Sequence, residues 1–338
     1  KSNIFTVYIV HMKKNIAIIM GGYSSEYLIS LKSGSVVHES LPTELYNSYS
    51  IHIFKDKWVY VNKDLEEFPV DKSDFTISLD GIKIKFDCIF NAIHGAPGED
   101  GTMQAYFKLL SLPHTSCNMY QAALTFNKRD CLSALKPYGI VSADAYFLNA
   151  GDVIDSVAIE AAVGFPCFVK ANKAGSSFGV TKVYSKDELP KAIETALKED
   201  DELIIESFLN GTEVSVGVIR YKGEITVLPI TEIVTDNDFF DYEAKYLGKS
   251  QEITPARISE TQASEVREVA KNIYEILKID GFSRSEFIFK DGKPYLLEVN
   301  TIPGFTKESI LPQQALKAGI SLSDLFHNAI QEALQKNH

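Results

Sequence analysis

Residues 285–300 read SEFIFKDGKPYLLEVN, two apolar runs on either side of Lys290-Asp291-Gly292-Lys293, and this composition predicts a β-hairpin with strands over 285–289 and 295–299. Side chains alternate between the faces of a strand, so Glu298 and Asn300 share one face and a cross-strand Glu286 can share it too. Arg284, two residues before Glu286, alternates onto the same face. Two carboxylates held this close call for a cation, and a carboxylate and amide set on a rigid hairpin suits Mg²⁺ bridging the phosphates of a substrate. The alternative is an exposed polar face on an edge hairpin. A guanidinium among the carboxylates favours a polyanionic ligand over solvent.

Outward from this hairpin the pattern stays antiparallel. Residues 213–220 (EVSVGVIR) and 225–229 read as strands around a turn at Lys222-Gly223, and 165–170 (FPCFVK) pairs with 180–184 (VTKVY) across the tip ANKAGSSFG, 171–179. A Gly/Ser tip with Lys170 at its base offers N–H groups, hydroxyls and a charge to phosphate oxygens, which alone is a weak signal. Gly175 to Gly179 also fit G-x-S-x-G with Ser177 as nucleophile, but that elbow must lead into a helix, and here a second strand follows. Ser185 and Glu188 have the spacing of a capping box for a helix to about 198, with Pro190 pushing its start later. Residues 203–205 form a short strand leading to Glu206. Val266, Val269, Ala270, Ile273, Ile276 and Leu277 follow the spacing of a half-buried helix. The polar stretch 231–257 is long enough for a functional lid.

The beginning of the chain is of a different kind. Residues 15–20 (NIAIIM) and 87–93 (DCIFNAI) are buried-strand runs, each ending in a glycine-rich polar turn and followed by helix-like spacing. This is the opening of an α/β layer, with two polar loops at the sheet edge where ligands bind. Residues 1–11 are read as an expression leader, since His11-Met12 is what a common cloning site encodes.

Composition narrows the class. The charge is −11 from 34 basic and 45 acidic residues, which disfavours nucleic acid, and no apolar run approaches the ~20 residues of a membrane span. Cys88, Cys117, Cys131 and Cys167 stand singly, which argues for a reducing compartment, against zinc, and for a cytoplasmic enzyme. Neither a P-loop nor G-x-G-x-x-G occurs, so a different nucleotide fold is required.

Five motifs in order carry a resemblance: Gly21-Gly22-Tyr23-Ser24-Ser25-Glu26 with Ser30; His94-Gly95 through Gly98-Glu99-Asp100-Gly101; Lys170 with its Gly-Ser-Ser loop; Asp241-Tyr242-Glu243-Ala244-Lys245-Tyr246; and Leu297-Glu298-Val299-Asn300 with Pro303-Gly304. From about Met12 to its end the chain resembles the D-alanine:D-alanine ligases of the ATP-grasp superfamily. The fold this implies is an N-terminal parallel α/β domain, 12–113, then two domains with mainly antiparallel sheets, 114–205 and 206–338, which sandwich ATP. The reaction implied is ATP-dependent joining of two D-alanines through an acyl phosphate, for peptidoglycan precursors. D-alanine and ATP are the expected partners, two Mg²⁺ (or Mn²⁺) the cofactors, and family members are often dimers.

Residue by residue, the resemblance implies that Lys128 and Lys170 hold ATP phosphates together with Ser176 and Ser177, and that Lys245 on the lid reaches the γ-phosphate. Glu206, Ser207, Phe208 and Leu209 would form the adenine hinge, with Glu213 on the ribose. Glu286, Glu298 and Asn300 would be the metal ligands. Arg284 would stabilise the tetrahedral oxyanion, Glu26 would pair with the first ammonium with His94 nearby, and Ser309 would join Arg284 on the second carboxylate. Tyr246, hydrogen-bonded with Glu26 and Ser176, would close the lid, and relatives that make D-alanyl-D-lactate depart from this Tyr. Three departures stand out: Asn127 where the family usually has Asp, Ala96-Pro97 within the glycine motif, and Glu286 where many relatives have Asp. The other readings are a ligase using another acceptor, such as D-lactate, and a non-catalytic nucleotide-binding regulator. The regulator would predict loss of Arg284 or the metal ligands, and all are retained.

Overall fold

The computed structural model describes residues 12–235 and 250–336. The leader reading for 1–11 and the lid residues Lys245 and Tyr246 lie outside the described residues.

The first sheet contains β1 (Lys14–Gly21), β2 (Tyr46–Ile53), β3 (Trp58–Val61), β4 (Glu67–Asp71), β5 (Thr76–Leu79), β6 (Ile82–Ile84) and β7 (Cys88–Asn91), in the order β6-β5-β4-β3-β2-β1-β7. Only β1 pairs in parallel, with β2 and β7, and the strands from β2 to β6 follow one another antiparallel. The expected parallel sheet is therefore a mixed one. A parallel return needs a crossover of about a dozen residues or more, whereas the short links after β2 permit only hairpins. From Ile16 to Met20 β1 is apolar, as burial on both faces requires, with Ile16, Ile18 and Met20 in one core and Ala17 and Ile19 in another.

Helix α1 (Tyr27–Ser40) packs through small residues: Ser30, Ser33, Gly34 and Val37 are buried, while Leu28 is 56% exposed. A Cβ on Gly34 would meet Met20 Cε at 2.6 Å, so only glycine lets the helix approach β1 this closely. Ser30 Oγ accepts from Gly21 N (2.9 Å) and donates to Ala92 O (2.8 Å), which ties both glycine turns to this helix. Helix α2 (Thr102–Leu109) follows the second turn.

After α3 (Met119–Phe126) and α4 (Lys128–Leu135), the second sheet has the order β10-β9-β11-β8, all antiparallel. Its strands are β8 (Ala145–Asn149), β9 (Cys167–Ala171), β10 (Thr181–Val183) and β11 (Glu202–Ser207). Helices α5 (Ser156–Val163) and α6 (Leu189–Ala196) cover one face, packing Ile159 and Ile193 against Val169 and Ile205. The capping box expected at Ser185 does not form: residues 186–188 make a 3-10 turn, and α6 starts at Leu189 with Pro190 in its first turn, where no N–H is needed.

The third sheet runs β15-β14-β12-β16-β17, with β13 beside β12. Its strands are β12 (Thr212–Tyr221), β13 (Glu224–Val227), β14 (Thr231–Thr235), β15 (Ser250–Ile253), β16 (Phe282–Lys290) and β17 (Lys293–Asn300). The polar stretch 231–257 is thus strand at both ends, with β14 and β15 paired antiparallel. One face is covered by α7 (Glu260–Ile276), capped by Ser259 and Gln262. The other carries α8 (Ile310–Lys317) and α9 (Leu322–Gln335). Phe282, Phe305 and Phe326 pack with Phe90 of β7, so the first and third sheets share one core.

Candidate active site

The hairpin β16–β17 pairs Glu286 with Glu298 and Arg284 with Asn300, so all four side chains leave one face. Arg284 Nη2 lies 2.7 Å from Glu286 Oε1, and Asn300 Nδ2 donates to Glu298 Oε1 at 3.3 Å. Lys128, from the first turn of α4, places Nζ 3.2 Å from Glu298 Oε2 and donates to Ala174 O at 2.7 Å. Glu286 is buried, which removes the reading of an exposed edge face. Mutual neutralisation keeps this many charges out of water.

A cavity of about 460 Å³ opens between the second and third sheets. Phe168, Val180, Ile288 and Leu297 give it apolar walls, with Glu206, Ser207, Phe208, Leu209 and Glu213 along one side and Lys128, Lys170, Ser176, Ser177, Glu286 and Glu298 among the charged and hydroxyl lining. Lys170 Nζ donates to Glu206 Oε2 at 2.6 Å. Burial works against the ammonium, but Glu206 outweighs it and holds the Lys170 pKa above the ordinary lysine value. Glu206 Oε1 is buried with no hydrogen-bond partner, an acceptor left for something the cavity would hold. Apolar walls with a polar margin and clustered cations suit a flat base with a polyanionic tail.

A second cavity, about 480 Å³, is lined by Glu26, His94, Glu99, Arg284, Asn300, Gly304 and Ser309. Lys128, Ala174, Gly175, Ser176 and Glu298 line both cavities, so the two meet at that wall. Ser176 Oγ donates to Glu26 Oε1 at 2.6 Å, bringing the Gly/Ser loop onto the first domain's glycine turn. Ser176 and Ser177 have φ of 52° and 60°, left-handed backbone that side chains seldom adopt. A Cβ on Gly175 would meet Glu26 Oε2 at 2.6 Å, so glycine is needed there.

His94 is fully engaged within the protein. Its Nδ1 is 3.0 Å from Ile302 O and its Nε2 2.9 Å from Ser33 Oγ, which in turn accepts from Phe305 N at 3.2 Å. This network is satisfied by a neutral ring that donates from Nδ1 and accepts from Ser33 at Nε2. Burial lowers the His94 pKa to about 4, with the Arg284 charge adding to it against the Ile302 hydrogen bond. Glu99, which the sequence reading quoted without a role, is buried on the same cavity wall and accepts from Gly95 N at 2.7 Å. Burial, reinforced by the Glu26 charge, pushes its pKa up to about 8. Its position after a glycine turn at a strand end was the signal available.

Every sequence-derived site residue within the described chain lines one cavity or the other. Residues 15–117 match a family model described as D-ala D-ala ligase N-terminus, and residues 133–331 match one described as D-ala D-ala ligase C-terminus. The chain belongs to the D-alanine–D-alanine ligase family. Among D-alanine–D-alanine ligases it is similar to that of Flavobacterium johnsoniae, 68% identical over 95% of this chain and 99% of the relative. Among solved structures it is similar to the VanG D-Ala:D-Ser ligase from Enterococcus faecalis (TM-score 0.82, 33% identity, 95% of this chain and 100% of that one). The D-alanine–D-alanine ligase from Bacillus anthracis complexed with ATP superposes with TM-score 0.75 at 29% identity, covering 95% and 98%. Lys128 falls between the two segments matched to the ligase family, so its place beside Glu298 rests on geometry.

Proposed function

We propose that the protein joins two D-alanines into the D-alanyl-D-alanine of peptidoglycan precursors, converting ATP to ADP and phosphate. The observation that carries this reading is the meeting of two cavities at the wall of Lys128, Ser176 and Glu298. A nucleotide in one cavity would present its γ-phosphate to a carboxylate in the other.

In this reading a carboxylate oxygen of the first D-alanine attacks the γ-phosphorus, breaking its bond to ADP and forming an acyl phosphate. The amine of the second D-alanine then attacks the acyl carbon, phosphate leaves, and the nitrogen loses a proton. Glu26 holds the first ammonium, and Ser176 fixes the orientation of Glu26. Arg284 faces the oxygen that becomes negative in the tetrahedral intermediate, and with Ser309 binds the second carboxylate. Lys128 and Lys170 neutralise phosphate oxygens, Ser177 adds a donor, Glu206 to Leu209 meet the adenine edge, and Glu213 takes the ribose hydroxyls. Lys245 and Tyr246 act from the lid, where closure excludes water from the acyl phosphate.

Glu286, Glu298 and Asn300 would hold two Mg²⁺ (or Mn²⁺), which when bound supply positive charge to the phosphate oxygens. The donor set fits: it is all oxygen, with two opposed carboxylates and an amide. Domains 12–113, 114–205 and 206–338 divide the work into amino-acid binding and two halves of an ATP clasp. The four cysteines are free and buried, in keeping with the cytoplasm, and among the described residues no helix is long and apolar enough to cross a membrane.

The test is phosphate release from ATP and Mg²⁺ with D-alanine, L-alanine, or D-alanine plus D-lactate, with products identified by mass. Phosphate and D-alanyl-D-alanine from D-alanine alone support the reading. Nucleotide binding without D-alanine-dependent phosphate overturns it in favour of a regulator.

A further inference from the structure

We propose that Gln314 is a positioning residue for the second amino acid, holding the helix that starts after Ser309 against the strand beside Arg284 and the base of the lid. The inference rests on the acceptor roles of Ser309 and Arg284 given above.

Gln314 lies in the middle of α8 and is fully buried. Its Nε2 donates to Ser215 O of β12 at 2.8 Å and to Thr231 Oγ1 of β14 at 3.0 Å. Thr231 Oγ1 in turn lies 2.7 Å from Thr254 Oγ1, just after β15. Its Oε1 covers Gly217, where a Cβ would come within 2.5 Å of it. In register, Ser215 is opposite Glu286 and Gly217 opposite Arg284. One carboxamide thus joins the acceptor helix to β12, the strand next to the charged hairpin, and to β14, whose Thr231 in turn meets Thr254.

A helix lying on a sheet is ordinarily held by apolar side chains, and a buried amide costs free energy unless its groups are paired. Here Oε1 has no hydrogen-bond partner, so a residue such as Leu or Met would avoid that cost. What the amide adds is direction: two hydrogen bonds fix the sliding position of α8, which an apolar contact leaves softer. Ser309 occupies the N-cap position of this helix, with Oγ 2.8 Å from Thr306 Oγ1 and close against Gly304, so a slide of α8 moves it directly. Looser placement weakens acceptor binding, and the waiting acyl phosphate is then open to water, returning D-alanine and phosphate without dipeptide.

The experiment compares the full chain with Gln314→Met, which keeps length but donates nothing, and with Thr231→Val, which keeps shape but lacks the hydroxyl. KM for ATP and for each D-alanine is measured, together with phosphate released per dipeptide formed. In Gln314→Met the KM of the second D-alanine should rise about tenfold, with KM for ATP nearly unchanged and more than one phosphate released per dipeptide. Thr231→Val should shift the same two quantities less, and carries the comparison if Gln314→Met does not fold. Unchanged acceptor KM and coupling in a folded variant overturn the inference, as does a parallel rise in every KM. If the unchanged chain makes no dipeptide at all, the ligase reading falls and this inference with it.

Discussion

Ser176 Oγ and Glu26 Oε1 are 2.6 Å apart although 150 residues separate them in the chain, and this hydrogen bond joins the Gly/Ser loop to the first domain at the wall between the two cavities. A hydroxyl donating to a carboxylate is worth about 1.5–3 kcal/mol. Ser176→Ala should therefore lower kcat/KM for D-alanine by roughly 10- to 100-fold. Gly175→Ala should do so as well, by pushing the loop off Glu26. Steady-state kinetics with D-alanine varied at saturating ATP would check both, and an unchanged kcat/KM in either would remove this bond from the reaction.

Arg284→Ala removes the guanidinium beside Glu286. Loss of one oxyanion donor typically costs about 10²–10³ in kcat, so turnover should fall by that order while ATP affinity, read by equilibrium binding, stays near its original value. Equal loss of binding and turnover would mean that the residue serves the hairpin's folding instead.

The amide at Asn127 has a local reason. Its Nδ2 donates to Asp130 Oδ2 at 2.7 Å, while its Oδ1 accepts from Asp130 N at 3.1 Å and Asn172 Nδ2 at 2.8 Å. A carboxylate here would face Asp130 directly. Asn127→Asp should lower stability by about 1 kcal/mol at neutral pH, and Asp130→Asn in the same chain should restore it. Thermal unfolding of the two singles and the double would show whether the coupling exists.

Glu99 makes stability depend on pH. Its folded pKa, raised by burial to about 8, lies above the ordinary 4.5, so its contribution is intact below about pH 4.5 and is lost as pH rises toward 8. His94 runs the other way: with a folded pKa near 4 against 6.5, its contribution is present above pH 6.5 and lost as pH falls through 4. Glu99→Gln, which keeps an acceptor for Gly95 N, should gain Tm relative to the original chain as pH goes from 5 to 8. A Tm difference independent of pH would refute this assignment.

The cysteines should be inert in the folded chain. Burial raises the thiol pKa of Cys88, Cys117 and Cys131 to about 12 and that of Cys167 to about 11, leaving almost no thiolate at neutral pH. Alkylation followed by mass measurement should find all four only after denaturation, and rapid labelling of the native protein would contradict the packing.

Much of this protein was legible before any coordinates. The hairpin of 282–300, the Gly/Ser loop and the two glycine turns are local: alternation, glycine and chain order specify them, and the face shared by Glu286, Glu298 and Asn300 follows from a period of two. The antiparallel extension of the first sheet was not legible, because strands of three to five residues such as β4 and β6 carry too little pattern to stand out. Nor was the buried face of α1, where Ser30, Ser33 and Gly34 rather than Leu28 meet the sheet: close approach to Met20 favours small side chains over apolar ones.

Tertiary packing alone decided what meets what. Lys128 against Glu298, Ser176 against Glu26 and Gln314 against Thr231 are contacts across long stretches of chain, and no spacing rule connects them. The environments that set His94 neutral and Glu99 protonated likewise arise only when distant segments exclude water together. Local conformation is written in neighbouring residues, whereas charge state and mutual distance belong to the folded volume.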